Sequence, residues 1–563
     1  MPLLARVPTM HLLWLVLLAV LLGGGCSGEP RRRARTDTRE KSDKATLDGA
    51  DQAFQDGRRM LFSLYLYDSE EGSSRCALHF NQWMEEQPGV QWQSDPMVAE
   101  LPEEIRTTML SQLDSRKVMT DDVEYMEMAV WLRDIVRWAG DTELDASLSQ
   151  WIDGQATLGQ DASQLRLAAK LFDWTVRNVQ LSQFWPSKPE VGLQPGAGRM
   201  LRETILIGTG DPWERARVFL GLCRQAGISA VMLASVDDQQ QSHPWCPAVL
   251  AGGQWYLFET QLGLPIPLAD DTGIATLADA RERDDVLANL SLGETLKYPV
   301  SRDDLKQVIG LVDATPEALS LRMQLIEQHL TGDSHLALTL KPSEWRQRCA
   351  SHEMPIELWM LPFDALRRQR MVQRALKRDP DAAAMHQRMQ ALFVGTAPLI
   401  MGRKLHLHGQ FRKAEDVEGA KQRYLAMRYP DQHLDALPTD RIMQSQFGLE
   451  KSVDQRDDEW YRYLLGLQSL FREAKMHASY WIGLVHFEEG NYESASQWFG
   501  KRVLEENPNS VWATGARYNL ARCYERMDQI AKAREMYLED NSPQRHGNLL
   551  RARRLKALVP DSP

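Results

Sequence analysis

The chain of 563 residues is 43% apolar and 25% charged, which excludes a disordered or fibrous polymer and supplies material for several buried cores. At about 150 residues per domain, the length predicts three or four domains. Asp and Glu total 77 against 66 Lys and Arg, a formal charge of -11, so no nucleic-acid partner held by bulk charge is expected.

Residues 1–25 hold one cation, Arg6, and an apolar run from Leu12 to Leu22, followed by Gly23, Gly24, Gly25 and Cys26. As a helix that run rises only about 16 Å, too short for a hydrocarbon core of roughly 30 Å, and so reads as a secretory signal. It resembles a bacterial lipoprotein signal, although Gly23 stands where that signal usually has Leu. The resemblance implies lipid attachment at Cys26 and an extracytoplasmic protein anchored to a cell-envelope membrane. Residues 26–48 then form a tether. Arg31, Arg32, Arg33, Arg35, Arg39, Lys41 and Lys44 mix there with acidic residues and almost nothing apolar, so the segment cannot bury enough surface to order itself.

Over 49–160 apolar residues recur at helical steps, among them Trp83, Met126, Trp131, Ile135 and Trp138, and predict an N-terminal helical region. The period changes over 161–300. Helices are predicted from Leu165 to Leu181 and from Asp211 to Ala226, and strands over Ile228 to Ala234, Trp245 to Ala251 and Gln254 to Thr260. Residues 301–395 read as a helical connecting region, with helix starts at Ser301 and at Thr315-Pro316-Glu317. The predicted fold class is therefore mostly α with a central α+β domain. Of the six Cys, those at 76, 223, 246, 349 and 523 are too scattered for a disulfide framework. They read as mostly buried free thiols.

Residues 396–563 repeat internally. Ile482-Gly483, Ala495 and Phe499 recur 38 residues later as Leu520-Ala521, Ala533 and Tyr537. A weaker unit near 405–430 puts Ala420 and Tyr424 in the small and aromatic places. This pattern resembles tetratricopeptide repeats, with about four residues inserted between units. Gly483, Ala495, Ala521 and Ala533 let paired helices approach, and Phe499 and Tyr537 fill the gaps. The resemblance implies a groove for a protein or peptide partner, or repeats that pack the molecule together. Residues from about 549 onward read as a capping helix.

The central domain resembles the transglutaminase-like, papain-related superfamily. The likeness rests on LFDWTVRNVQL, on VFLGLCRQAGISA, on His243-Pro244-Trp245, and on Trp255-Tyr-Leu-Phe-Glu259-Thr260. In that family a Cys at the start of the central helix attacks an amide, a His takes the proton and an Asp orients the His. A helix N-terminus and an imidazolium together lower the thiol pKa. The resemblance puts His243 on the family's His and Glu259 on its Asp. Pro212 stands at the nucleophile position. Asp211-Pro212-Trp213-Glu214 reads instead as a capping box with Pro at the first helical position.

Cys223 falls in an apolar series on the same helix, and Cys246 is expected to point away from His243. Asp211, His243 and Glu259 could converge for acid–base work or for a divalent ion. The blander expectation is His243 held by Glu259, with Asp211, Trp213 and Trp245 lining a pocket. His406 and His408, two residues apart, diverge on a helix. No metal and no cofactor is expected. The leading expectation is a non-catalytic, membrane-anchored scaffold with a vestigial His243–Glu259 dyad. Its rival is a hydrolase or acyl transferase using that dyad with an unplaced nucleophile.

Overall fold

The computed structural model describes residues 49–67, 69–182, 198–352, 354–378, 396–414 and 418–556. The expected leader, Cys26 and the expected tether lie outside them.

The N-terminal region is helical. A hairpin of α1 (Gly49–Leu61) and α2 (Ser69–Glu86) is followed by the short α3 (Glu103–Met109) and the long α4 (Thr120–Gly140). Val123, Met126, Val130, Trp131 and Ile135 recur at steps that keep one face of α4 buried. That face meets α5 (Ala162–Asn178) and α7 (Pro212–Gln225), with the short α6 (Leu201–Ile207) between them in sequence.

A six-stranded sheet is built from β1 (Ala230–Val236), β2 (Ser242–Ala251), β3 (Gln254–Glu259), β4 (Leu264–Pro265), β5 (Val308–Val312) and β6 (Ile356–Leu358). The order is β4-β3-β2-β1-β5-β6, antiparallel except for β5 with β6. The β2–β3 hairpin turns on Gly252 and Gly253, whose φ values of 54° and 75° are the left-handed pair that a two-residue hairpin requires. Met232, Ala234, Ile309 and Leu311 pack with Ala216 and Leu220 of α7, while Val231, Leu233, Trp245 and Leu257 belong to a separate core.

Two strands therefore lie in the stretch expected to be all helical. Val308 to Val312 is buried at every position, and a five-residue apolar run has no period that separates a strand from a helix. Thr315-Pro316-Glu317 is a turn, and α8 (Leu321–His329) starts instead at the N-cap Ser320. Ser301 caps only one 3-10 turn. Beyond α8 come α9 (Pro342–Ala350) and α10 (Leu361–Arg378).

The C-terminal third is a stack of helical hairpins. α11 (Ala397–Leu407) pairs with α12 (Ala420–Ala426), and α13 (Asp457–Glu488) with α14 (Tyr492–Gln497), which continues as a π-helix over Trp498–Glu505. α15 (Ala513–Arg526) pairs with α16 (Ile530–Leu538), and α17 (Arg545–Lys556) closes the stack. A Cβ on Gly483 would lie 2.6 Å from the Phe499 ring, and one on Gly402 would lie 2.7 Å from Tyr424. Each glycine thus admits an aromatic ring against its helix backbone. Ala495, Ala521, Ala533 and Tyr537 are fully buried.

Candidate functional site

The start of α7 is a closed cap. Asp211 Oδ1 accepts hydrogen bonds from the Trp213 and Glu214 amides, both at 2.9 Å, and Glu214 Oε2 accepts from the Asp211 amide at 3.1 Å. Pro212 holds the first helical position, where no intrahelical N–H is needed. Asp211 and Glu214 are buried. Burial raises both carboxyl pKa values, and the Asp211 charge raises that of Glu214 further. A buried acidic cap at the helix start disfavours the thiolate or bound anion that the helix dipole would otherwise attract.

His243 and Glu259 are not brought together. His243 is exposed on the β1–β2 hairpin, with Nε2 2.9 Å from Asp237 Oδ2. It pairs with Ser235, one residue beyond Ala234, which packs on α7. Alternation along the strands therefore turns His243 to the face opposite α7. A bulge between Met232 and Ala234 sets this register.

Glu259 is buried on that opposite face. It accepts from the Tyr298 hydroxyl and, at 2.9 Å, from the Gln261 amide, and Trp245 Nε1 donates to the Tyr298 hydroxyl at 2.6 Å. Burial pushes the Glu259 carboxyl up to about 7. The His243–Glu259 hydrogen bond expected from the sequence is replaced by two separate pairs. Asp211, His243 and Glu259 do not converge, and Trp213 and Trp245 belong to different cores.

The five described cysteines are buried and free. Burial raises every thiol pKa, that of Cys349 to about 11 and that of Cys246 further still, the Glu259 charge adding to the effect at Cys246. None carries the lowered pKa of a nucleophile. His406 and His408 diverge. His406 is buried beside Arg403, whereas His408 reaches Asp134 Oδ2 at 2.7 Å. Among the described residues no group of three or more His, Cys, Asp or Glu is placed to hold a metal.

The most elaborate polar arrangement joins the hairpin stack to the middle domain. Arg177, at the end of α5, is buried. It donates to Glu488 of α13 at 2.6 Å and to Asp173 at 2.8 Å. Burial opposes its charge, but the Glu488 and Asp173 carboxylates outweigh that and raise its pKa. Asp173 also accepts from Arg522 of α15 at 2.8 Å. Tyr480 and Asn519, one on each of these two helices, donate to the Arg177 carbonyl.

Next along the chain, Gln180 accepts from the Gly515 amide at 2.7 Å and donates to the Val511 carbonyl at 2.8 Å. A Cβ on Gly515 would crowd both the Tyr480 hydroxyl and Gln180. Arg403 of α11 donates to the last carbonyls of α6, Ile205 and Leu206, and Lys404 meets Glu127 of α4 at 2.8 Å. The first helix of every pair is thus turned onto the middle domain. Sequence reasoning missed these residues, and the one local signal was Gly515, a lone glycine inside a helix.

No family model matches the chain, and neither the curated proteins nor the solved structures supply a match.

Proposed function

We propose that this chain is a non-catalytic envelope lipoprotein, tethered through Cys26, in which a degenerate transglutaminase-like domain is clasped by tetratricopeptide-like repeats to form a rigid scaffold. The observation that carries this reading is the start of α7. Pro212 and a buried acidic cap stand where the family has its Cys, and His243 and Glu259 lie on the far face of the sheet. The repeat faces that would hold a peptide in that family are taken by α5 and the residues after it. A protein partner therefore meets the outer faces, where Tyr461 and Leu465 of α13 are exposed.

The test is site-resolved alkylation of the folded chain against pH, read by mass spectrometry. Uniformly slow labelling that rises only on unfolding is expected. A thiol at Cys223 or Cys246 that titrates well below its ordinary range and loses reactivity in His243→Ala would overturn the reading and make the protein a thiol enzyme.

A further inference from the structure

Helix α10 begins in the core and ends in solvent. Leu361, Phe363 and Ala365 are buried, whereas residues 369–375, 377 and 378 are exposed, Met371 and Val372 by 38% and 37%. Arg370 donates to the Thr108 carbonyl at 3.0 Å and Arg367 lies 3.8 Å from Glu104, which fixes the helix beside α3.

From Ala365 to Arg378 there are six cations, Arg367, Arg368, Arg370, Arg374, Lys377 and Arg378, and no carboxylate. Among the described residues the side chains of Arg374, Lys377 and Arg378 make no ion pair or hydrogen bond, and all three are exposed. At 100° per residue, Met371, Ala375 and Val372 share an arc of about 100°, and Lys377, Arg374 and Arg378 occupy the adjoining arc of similar width. An apolar strip beside a purely basic one suits the boundary between anionic headgroups and acyl chains.

We propose that the exposed half of α10 lies on an anionic phospholipid surface, Met371, Val372 and Ala375 entering the interface and Arg374, Lys377 and Arg378 meeting the headgroups. The choice of a bilayer over another polyanion rests on the membrane-tether reading above. The 22 residues between Cys26 and Gly49 span up to about 70 Å, so a lipid at Cys26 leaves α10 free to reach the same surface.

The experiment uses the Cys26→Ser chain, made without an acyl group, in co-sedimentation with vesicles of phosphatidylethanolamine plus phosphatidylglycerol and with vesicles of phosphatidylcholine alone. Binding is expected to the first kind only. It is expected to fall at least about tenfold in Arg374→Glu/Lys377→Glu/Arg378→Glu and severalfold in Met371→Ser/Val372→Ser, with unchanged unfolding midpoints. Absence of binding by the parent chain, or undiminished binding by the charge variant, overturns the proposal. Loss in the charge variant alone, with release by a soluble polyanion, also overturns it and assigns the surface to an acidic macromolecule. Fatty-acid labelling of the wild-type chain tests acylation separately, so failure of the tether and failure of the α10 surface are told apart.

Discussion

At the scale of single residues, the buried carboxyls of the middle domain are held by local partners, Glu259 by the Tyr298 hydroxyl and the Gln261 amide. Glu259 prefers its protonated form because it is buried, with a folded pKa of about 7 against an ordinary value of 4.5. Its contribution to stability is complete below about pH 4.5 and is lost as pH rises through about 7, by ~3 kcal/mol at most. Glu259→Gln should therefore reduce the fall in the urea midpoint between those pH values, leaving the part due to the other buried carboxyls whose pKa is raised, among them Asp211, Glu214, Glu317 and Glu525. An unchanged slope would mean that the carboxyl is solvated.

Legibility follows the range of the interaction. The Asp211 cap was readable because every partner lies within three residues. The orientation of His243 was not, because one bulge in the pairing of its strand with the neighbouring one decides which face it takes.

At the scale of elements, the helical hairpins follow from small residues opposite rings. A methyl on Gly483 would overlap Phe499, so Gly483→Ala should cost about 1–3 kcal/mol in chemical denaturation, and part of that should return when Phe499 is shortened to Leu. The 38-residue offset pointed to Gly483 and Phe499 in the sequence, and Ala521 and Tyr537 at the matching places are buried as well. Strand β5 stayed hidden, since a fully buried strand alternates nothing.

The join between α5 and α13 was equally invisible, because Arg177 and Glu488 are 311 residues apart and nothing local marks either one. Glu488→Ala leaves the buried Arg177 with Asp173 alone, so a loss of up to about 3–5 kcal/mol is expected. Hydrogen exchange should rise first in the second half of α13 and in α15. Exchange that rises evenly over the whole chain would contradict a local clasp.

At the scale of the molecule, α17 is the piece that ties both ends of the fold together. Leu550 enters the core of the sheet domain and Arg553 pairs with Asp271. Gln544 bridges Arg215 of α7 to the Leu262 carbonyl. Gly547 passes so close to the Leu262 backbone that a methyl there would overlap its carbonyl oxygen. Because that obstacle is backbone, Gly547→Ala should unseat α17 and lower the melting temperature of the middle domain and the hairpin stack together, as one calorimetric transition. Two resolved transitions in the wild-type chain would show that the modules melt independently.

The seating of α17 also sets an order of events during synthesis. The last strand of the sheet ends at Leu358, and its core stays open until Leu550 arrives, roughly 190 residues later. A chain halted in the repeats carries a middle domain with an uncovered apolar slot, the kind of surface that chaperones hold and proteases attack. Truncated products should therefore be cleared, while a chain that reaches α17 covers that slot.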